Sequence, residues 1–480
     1  MARDPALIDG VETRVAQGAD APHAIAAAFA EHRAALAAIG GYMAERVADL
    51  DDLRDRAVAH LLGLPMPGVP DPGHPFVLVA GDLAPADTAM LKPDRVLGIV
   101  TERGGPTGHT AILAKQLGIP AITACPGAAT LRDGDRVLVD GATGEVVVDP
   151  DAALVADAQR RRRELVARRA AGHGPGRTAD GHPIKLLVNL GGPGDLSSAD
   201  MAGVQGVGLL RTEFLFLERA SAPTREQQER AYAEVFSAFA GRTVVVRTLD
   251  VGADKPLAYL PQPAEENPAL GVRGLRLARR DPGLLDEQLA AIAAAAARSG
   301  ADVWVMAPMV ATAREAAWFA ETARGHGLER VGVMVEVPSA ALSAREVLRH
   351  VDFASLGTND LAQYALGADR LAGELADLLD PWQPALLKLV AMTAEAGLAL
   401  DRPVGVCGEA ASDPLLAVVL TGLGVTSLSM ASGSLPDVRA TLAAYSLDQC
   451  RAFARAAVDA PSAADAREAV LAMSRALAVA

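Results

Sequence analysis

The sequence predicts an α/β protein whose C-terminal part, from about residue 179, is a closed (β/α)8 barrel. Short apolar β-type runs recur from about residue 180 onward, helical stretches separate most of them, and polar residues stand where they end. Eight alternating units over about 300 residues are typical of such a barrel. The runs are IKLLVN, GVGLL, VVVRT, VWVMAP, VGVMVEV, FASLG, PVGVCG and VTSLSM.

The segments before the barrel predict two smaller parts and a connector. Residues 1–62 carry apolar side chains at helical spacing, which predicts amphipathic helices. Residues 63–150 alternate β runs with one or two helices, which is typical of a small α/β domain. Residues 151–178, with four consecutive arginines at 160–163, predict an exposed connecting helix.

Within residues 63–150 the individual elements follow from local pattern. The predicted strands are FVLVA, VLGIVT, PAIT, RVLVD and EVVVD, and the predicted helices are Pro85–Leu91 and Thr110–Leu117. Proline at the start of the first helix suits a position whose N–H has no partner.

Composition excludes several classes of protein. Of 480 residues, half are hydrophobic and 22% are charged, which is typical of a globular chain. The net charge of −14 disfavours a nucleic-acid binder that relies on phosphate attraction. Three cysteines without a CxxC pair disfavour a disulfide framework and a thiolate zinc site. With no signal peptide and no long apolar run, we expect a cytoplasmic protein without membrane insertion.

One histidine of the small domain is placed for covalent phosphate chemistry. In GGPTGHTAILAKQLGIPAI, glycines precede a predicted helix, and His109 lies at or just before its first turn. The unpaired N–H groups there disfavour a protonated imidazole and can receive a phosphoryl group. For this motif taken alone, an ordinary capping histidine is the more common interpretation.

Three arginines follow strand signals on the same predicted face of the barrel. Arg211, Arg247 and Arg273 lie in GVGLLRTEFLFL, VVVRTLD and ENPALGVRGLR. Arginine suits planar, bidentate contact with phosphate or carboxylate. A single arginine is more often a surface or ion-pair residue, but three at one barrel face predict an anion clamp.

Two carboxylates and a thiol are predicted at the same face. Glu336 ends VGVMVEV and Asp360 follows the next strand, so the two should lie close together. Carboxylate ligands with substrate oxygens indicate Mg²⁺ or Mn²⁺ rather than zinc, although two unrelated strand-end acids are the alternative. Cys407 in PVGVCGE can donate a proton, or it can be a small buried hydrophobe.

Seven segments, in this order, resemble the enzyme I family of the bacterial phosphotransferase system, which belongs to the PEP-utilising enzymes. They cover nearly the whole chain. They are GGPTGHTAILAKQLGIPAI, GVGLLRTEFLFLERASAPTREQQ, VVVRTLDVGADKPL, EENPALGVRGLRL, GVMVEVPSAA, DFASLGTNDLAQYALGADR and VCGEAASDP.

The resemblance implies an organisation and a reaction. It implies an incomplete helical subdomain that binds the carrier protein HPr (1–62), a phosphohistidine domain (63–150), a linker helix (151–178) and a TIM barrel that binds phosphoenolpyruvate (179–480). The phosphoryl group would pass from phosphoenolpyruvate to a histidine and then to HPr, with release of pyruvate, as the first step of sugar uptake. The family also implies Mg²⁺ and a homodimer formed through the barrel.

The resemblance further implies a role for each matching residue. His109 carries the phosphoryl group, Thr88 orients it, and Cys407 protonates the enolate. Glu336 and Asp360 hold Mg²⁺. The implied substrate-binding residues are Arg211, Arg247, Arg273, Asn359, Asp360 and Arg370.

Two departures from the family pattern matter. Pro106 and Gly108 stand where the family usually has Arg and Ser, which removes a hydroxyl beside the histidine. The chain also starts inside the helical subdomain, so we expect weaker transfer to HPr. The alternatives are a regulatory or scaffold homologue that binds phosphoenolpyruvate without passing phosphate on, and an ATP-using dikinase or synthase. The second lacks support, because no glycine-rich nucleotide domain precedes His109.

Overall fold

The computed structural model describes most of the chain in two compact units, residues 1–161 and 162–480. Elements are numbered along the described residues. These are residues 5–39, 47–64, 68–83, 87, 91–104, 109–141, 143–171, 174–197, 203–217, 219, 221–252, 257, 259–260, 263, 265–370 and 372–479.

The first unit begins with three helices, as the apolar spacing predicted. They are α1 (Pro5–Ala16), α2 (Ala21–Ile39) and α3 (Val47–Leu62). Leu7, Ala28, Phe29 and Leu50 form a small buried cluster between them. The helices therefore cover part of one another's apolar faces.

The small α/β part of this unit contains all five predicted strands. A parallel sheet has the order β1 (Phe76–Ala80), β2 (Val96–Thr101), β3 (Ala121–Ile122), and an antiparallel pair joins β4 (Val137–Asp140) to β5 (Glu145–Val148). Helix α4 (His109–Leu117) begins one residue before the predicted start. The predicted helix Pro85–Leu91 lies largely outside the described residues.

A long helix, α5 (Ala152–Ala171), carries the run of four arginines, and all four are exposed. Asp157, one turn earlier, pairs with Arg161 at 3.1 Å. The exposed helix predicted for this region is therefore present, with its charges solvated.

Eight parallel strands of the second unit close into a barrel, which confirms the predicted fold. Each strand pairs with the next along the chain, and the last pairs with the first. The strands are β6 (Lys185–Leu190), β7 (Gly206–Leu210), β8 (Thr243–Arg247), β9 (Asp302–Ala307), β10 (Arg330–Val335), β11 (Phe353–Leu356), β12 (Val404–Val406) and β13 (Ser427–Met430).

Helices surround these strands. They are α6 (Arg225–Ala238), α7 (Leu275–Arg280), α8 (Pro282–Ser299), α9 (Ala313–Gly325), α10 (Pro338–Leu342), α11 (Ala344–Leu348), α12 (Thr358–Leu366), α13 (Pro384–Leu400), α14 (Pro414–Gly422), α15 (Leu435–Leu442), α16 (Leu447–Asp459) and α17 (Ala463–Val479). Among the described residues, no helix has both the length and the apolar content needed to cross a bilayer.

Two separate cores hold the barrel together. The larger one packs strand residues against the surrounding helices, and Val244 and Val246 belong to it. Val245, between them, belongs to a smaller buried cluster with Met306, Met334 and others that contains no helix residue. Because neighbouring strand residues point to opposite faces, the smaller cluster fills the barrel interior. The polar residues that follow the strands therefore lie above a packed core.

Candidate active site

Four of the predicted chemical residues of the second unit stand at or just after the ends of strands. Arg247 is the last residue of β8, Glu336 directly follows β10, and Cys407 directly follows β12. Asp360 lies in the first turn of α12, just after β11. Since the carboxyl ends of parallel barrel strands meet at one mouth, the fold brings these residues to the same end.

Arg273 is buried between two carboxylates at this mouth. Its Nε and Nη2 donate to Asp250 Oδ1 and Oδ2 at 3.0 and 2.9 Å, and its Nη1 and Nη2 donate to the two oxygens of Asp360 at 3.2 Å each. Burial by itself would lower the pKa of Arg273, but attraction to Asp250 and Asp360 outweighs it and raises that pKa. The guanidinium is permanently charged and held at both edges.

Arg247 is held in a similar way. Its Nη2 donates to Glu213 Oε1 at 3.0 Å, and its Nη1 lies 3.2 Å from Asp250 Oδ2. Burial acts to lower the pKa of Arg247, whereas Glu213 and Asp250 raise it by more. Two of the three arginines predicted as an anion clamp, Arg247 and Arg273, are thus brought together, and Asp250 contacts both.

Glu336 is a buried carboxyl in this cluster. Its Oε1 accepts a hydrogen bond from the Met309 backbone N–H at 2.6 Å. Burial, and then the charges of Asp250 and Asp360, raise the pKa of Glu336 to about 8, against the opposing effect of the arginines. A further positive charge near Glu336 would therefore stabilise its ionised form.

The donor set fits a hard divalent cation. Four carboxyl groups are gathered with the guanidinium groups of Arg247, Arg273 and Arg370 at the mouth. They are Glu213, Asp250, Glu336 and Asp360. Oxygen donors of this kind suit Mg²⁺. Within the described ranges, no group of three or more His, Cys, Asp or Glu is already arranged around a metal position, so Glu336 and Asp360 as ligands stay a prediction.

Three further predicted residues lie near the mouth and are more accessible than the buried pair. Arg370 is half-buried, with Nη1 3.5 Å from Asp360 Oδ2, and Asn359 Oδ1 accepts the Glu409 backbone N–H at 2.9 Å. Arg211, which follows β7, has an exposed side chain. These side chains lie at the solvent side of the mouth, where an anion can reach them.

Cys407 is part of the interior cluster of the barrel and lies at the end of that cluster next to the mouth. Asn189 of β6 donates to the Cys407 carbonyl at 3.0 Å, and the Cys407 thiol lies 3.6 Å from the Leu356 carbonyl. Burial raises the pKa of Cys407 to about 11. The thiol therefore keeps its proton at neutral pH and is available as a donor.

In the first unit, the backbone of His109 begins α4, where the sequence placed it. Its neighbour Thr110 is buried in the first turn. The His109 side chain, the loop residues Pro106 and Gly108, and Thr88 lie outside the described residues, so the proposed contact between Thr88 and His109 stays a prediction.

Two acids of the mouth were missed by the sequence analysis. Glu213 and Asp250 hold the arginines, yet only the arginines were singled out. Both acids follow strand ends, in RTE after β7 and RTLD after β8. Charged residues just after the strands of a barrel are expected at its mouth, and this expectation, applied to every charged residue of those motifs, identifies both acids.

Replacing Gly408 is expected to disturb the mouth. A Cβ at Gly408 would lie 2.0 Å from Thr358 Oγ1 and 2.7 Å from the Thr358 backbone nitrogen. Gly408→Ala must therefore displace the start of α12, which carries Asn359 and Asp360, and should lower the free energy of unfolding by about 1–3 kcal/mol. Chemical denaturation measures this. Gly325→Ala is the control, because a Cβ there meets nothing within 4 Å; equal stability of the two variants would contradict the prediction.

Comparison with known proteins agrees with this geometry. Residues 167–447 match the family described as the PEP-binding domain of PEP-utilising enzymes, residues 72–144 match its mobile domain, and residues 1–46 match its N-terminal part. A phosphoenolpyruvate-protein phosphotransferase of Streptomyces coelicolor is 57% identical over 98% of this chain and 85% of its own length. One from Haloferax volcanii is 40% identical, over 97% and 84% of the two chains. One from Staphylococcus carnosus is 39% identical, over 87% and 75%. With matches along all three parts, the chain belongs to the PEP-utilising enzyme family, and its resemblance to enzyme I is confirmed.

Proposed function

We propose that this chain takes the phosphoryl group of phosphoenolpyruvate onto His109 and passes it to HPr, the carrier of the phosphotransferase system. The reaction class follows from family membership: the chain is a phosphoenolpyruvate–protein phosphotransferase. The geometric observation that carries the assignment is the pair of buried arginines, Arg247 and Arg273, beside Glu336 at the barrel mouth.

Phosphoenolpyruvate carries a phosphate and a carboxylate, and both need positive partners. Phosphoryl transfer depends mainly on positioning and charge neutralisation. We assign this work to Arg211, Arg247, Arg273 and Arg370, with Asn359 at the phosphate. The outer pair, Arg211 and Arg370, is accessible from solvent, whereas the inner pair is held by acids.

Mg²⁺ belongs to the same proposal. Glu336 and Asp360 would hold it, and the ion would supply charge neutralisation for the substrate oxygens. The buried carboxyl oxygens of the mouth support this assignment, as does the raised pKa of Glu336, because a bound cation would stabilise its ionised form.

The bond between phosphorus and the enol oxygen of phosphoenolpyruvate breaks, a bond from phosphorus to an imidazole nitrogen of His109 forms, and the enolate of pyruvate remains. Cys407 then gives its thiol proton to C3 of the enolate, which yields pyruvate. The pKa of about 11 supports Cys407 as the donor, because the proton is held until an enolate is present to take it.

Cys407→Ser is expected to slow pyruvate formation about 100-fold while the KM for phosphoenolpyruvate changes less than about threefold. A serine hydroxyl is a much poorer acid than a thiol, although it occupies nearly the same space. A coupled lactate dehydrogenase assay measures pyruvate release. Cys450→Ser is the control, since Cys450 is equally buried but lies on α16. A wild-type kcat for Cys407→Ser would remove the acid role.

Labelled phosphoenolpyruvate tests the whole proposal. With Mg²⁺, the label should appear on the chain and move to HPr when HPr is added. Label that stays on the chain in the presence of HPr would instead favour the regulatory homologue.

The remaining assignments are part of the same proposal. For the domains, we assign HPr binding to residues 1–62, the phosphohistidine domain to 63–150, the linker to 151–178 and the barrel that binds phosphoenolpyruvate to 179–480. We also assign a homodimer formed through that barrel and a cytoplasmic location. Sedimentation velocity of the barrel-containing full chain tests the dimer.

A further inference from the structure

One acid at the mouth contacts both buried arginines. We propose that Asp250 is a positioning residue, which sets the separation and orientation of Arg247 and Arg273 for phosphoenolpyruvate. The inference rests on the proposed function, since it explains how the substrate-binding arginines are held.

The contacts of Asp250 carry the proposal. Its Oδ1 accepts from Arg273 Nε at 3.0 Å, and its Oδ2 accepts from Arg273 Nη2 at 2.9 Å and lies 3.2 Å from Arg247 Nη1. The Asp250 backbone N–H donates to Glu213 Oε1 at 2.9 Å, and the same oxygen accepts from Arg247 Nη2. Asp250 is therefore anchored at its backbone as well as at its carboxylate.

The guanidinium group is a rigid planar fork, so fixing one edge fixes its plane. Asp250 accepts hydrogen bonds from the Nε–Nη2 edge of Arg273. With that edge fixed, the Nη1–Nη2 edge faces Asp360 and Tyr364. Asp250 also contacts Nη1 of Arg247, while Glu213 contacts Nη2. One carboxylate thus determines how two cations are presented at the mouth.

Asp250 is buried at the mouth. It is 1% exposed, and both of its oxygens face guanidinium groups. Its carboxylate contacts the arginines directly, and its charge also acts on Glu336, so Asp250 acts on phosphoenolpyruvate through these neighbours.

The chain contains a matched control for the motif of one aspartate between two arginines. Asp352 pairs with Arg324 at 3.0 Å and with Arg402 at 3.6 Å. Asp352 immediately precedes β11, so it lies at the opposite end of the barrel from the mouth. A substitution there removes a similar bridge without touching the site.

The experiment compares Asp250→Asn, Asp250→Glu and Asp352→Asn in the full chain. Steady-state assays give KM and kcat for phosphoenolpyruvate, calorimetry gives its Kd in a His109→Ala background, and thermal unfolding reports stability. We expect both Asp250 variants to raise KM and Kd at least tenfold, because loss of the charge or a shift of one methylene disturbs both arginines. Asp352→Asn should change KM and Kd less than twofold, whatever it does to stability.

The outcomes separate positioning from structure. A merely structural role lowers the active fraction, and so the apparent kcat, but leaves KM unchanged. Unchanged KM and Kd in the Asp250 variants would overturn the inference, as would wild-type affinity in Asp250→Glu or failure of both variants to fold. If the His109→Ala protein with an intact Asp250 binds no phosphoenolpyruvate, the proposed function fails instead.

Discussion

His109→Ala is expected to take up no acid-labile label from phosphoenolpyruvate, a loss of at least about 10³-fold in the rate of phosphorylation. The substitution removes the only atom to which the phosphoryl group is proposed to bond, and α4, which begins at this residue, tolerates alanine. Incubation with labelled substrate and Mg²⁺, followed by acid and alkali treatment, measures the bound phosphate.

His326→Ala is the control for this variant. His326 directly follows α9, and its ring lies 3.2 Å from Asp286. Because it precedes β10, it lies at the opposite end of the barrel from the mouth. It should be labelled like the wild type. Acid-labile label that persists in His109→Ala would assign the phosphoryl acceptor to another side chain.

Glu336→Gln is expected to abolish Mg²⁺-dependent turnover, with a fall on the order of 10²–10³-fold, while the protein remains folded. Glutamine keeps the volume of Glu336 and an oxygen that can accept the Met309 N–H. It loses the charge that a divalent cation needs, and it also removes repulsion from Asp250 and Asp360. The free energy of unfolding should therefore be unchanged or higher.

Mn²⁺ titration followed by electron paramagnetic resonance gives a readout independent of activity. Glu336→Gln should bind Mn²⁺ at least about tenfold more weakly than the wild type. Glu395→Gln, an exposed substitution on α13, should bind it normally. Wild-type Mn²⁺ affinity in Glu336→Gln would exclude this carboxylate as a ligand.

Local pattern was sufficient for the architecture. Each barrel strand is covered on both faces, so its residues form a short continuous apolar run that can be recognised without a partner strand. The start of α4 was predictable for a similar reason, because glycines followed by a helical pattern describe a local event. His109 could therefore be placed from its neighbours in sequence.

The charge pattern of the mouth was only partly predictable. The sequence placed Arg247 and Asp360 at strand ends and Arg273 on the same face of the barrel, but it did not predict which acid pairs with which arginine. Arg247 and its partner Glu213 are 34 residues apart in the sequence, and Arg273 and its partner Asp360 are 87 residues apart. Such pairs exist only because barrel closure brings distant segments of the chain together at one mouth.

By itself, the sequence determined the eight-stranded barrel, the helix that starts at His109, and the set of residue types available for phosphoryl transfer. These depend on periodicity, backbone preference and motif order, which are properties of neighbouring residues. Only the tertiary structure decided that the arginines are buried between acids and that Asp250 bridges two of them. The physical reason is that burial and pairing determine where a guanidinium group can point and how a carboxyl group titrates, and both depend on residues far away in the chain.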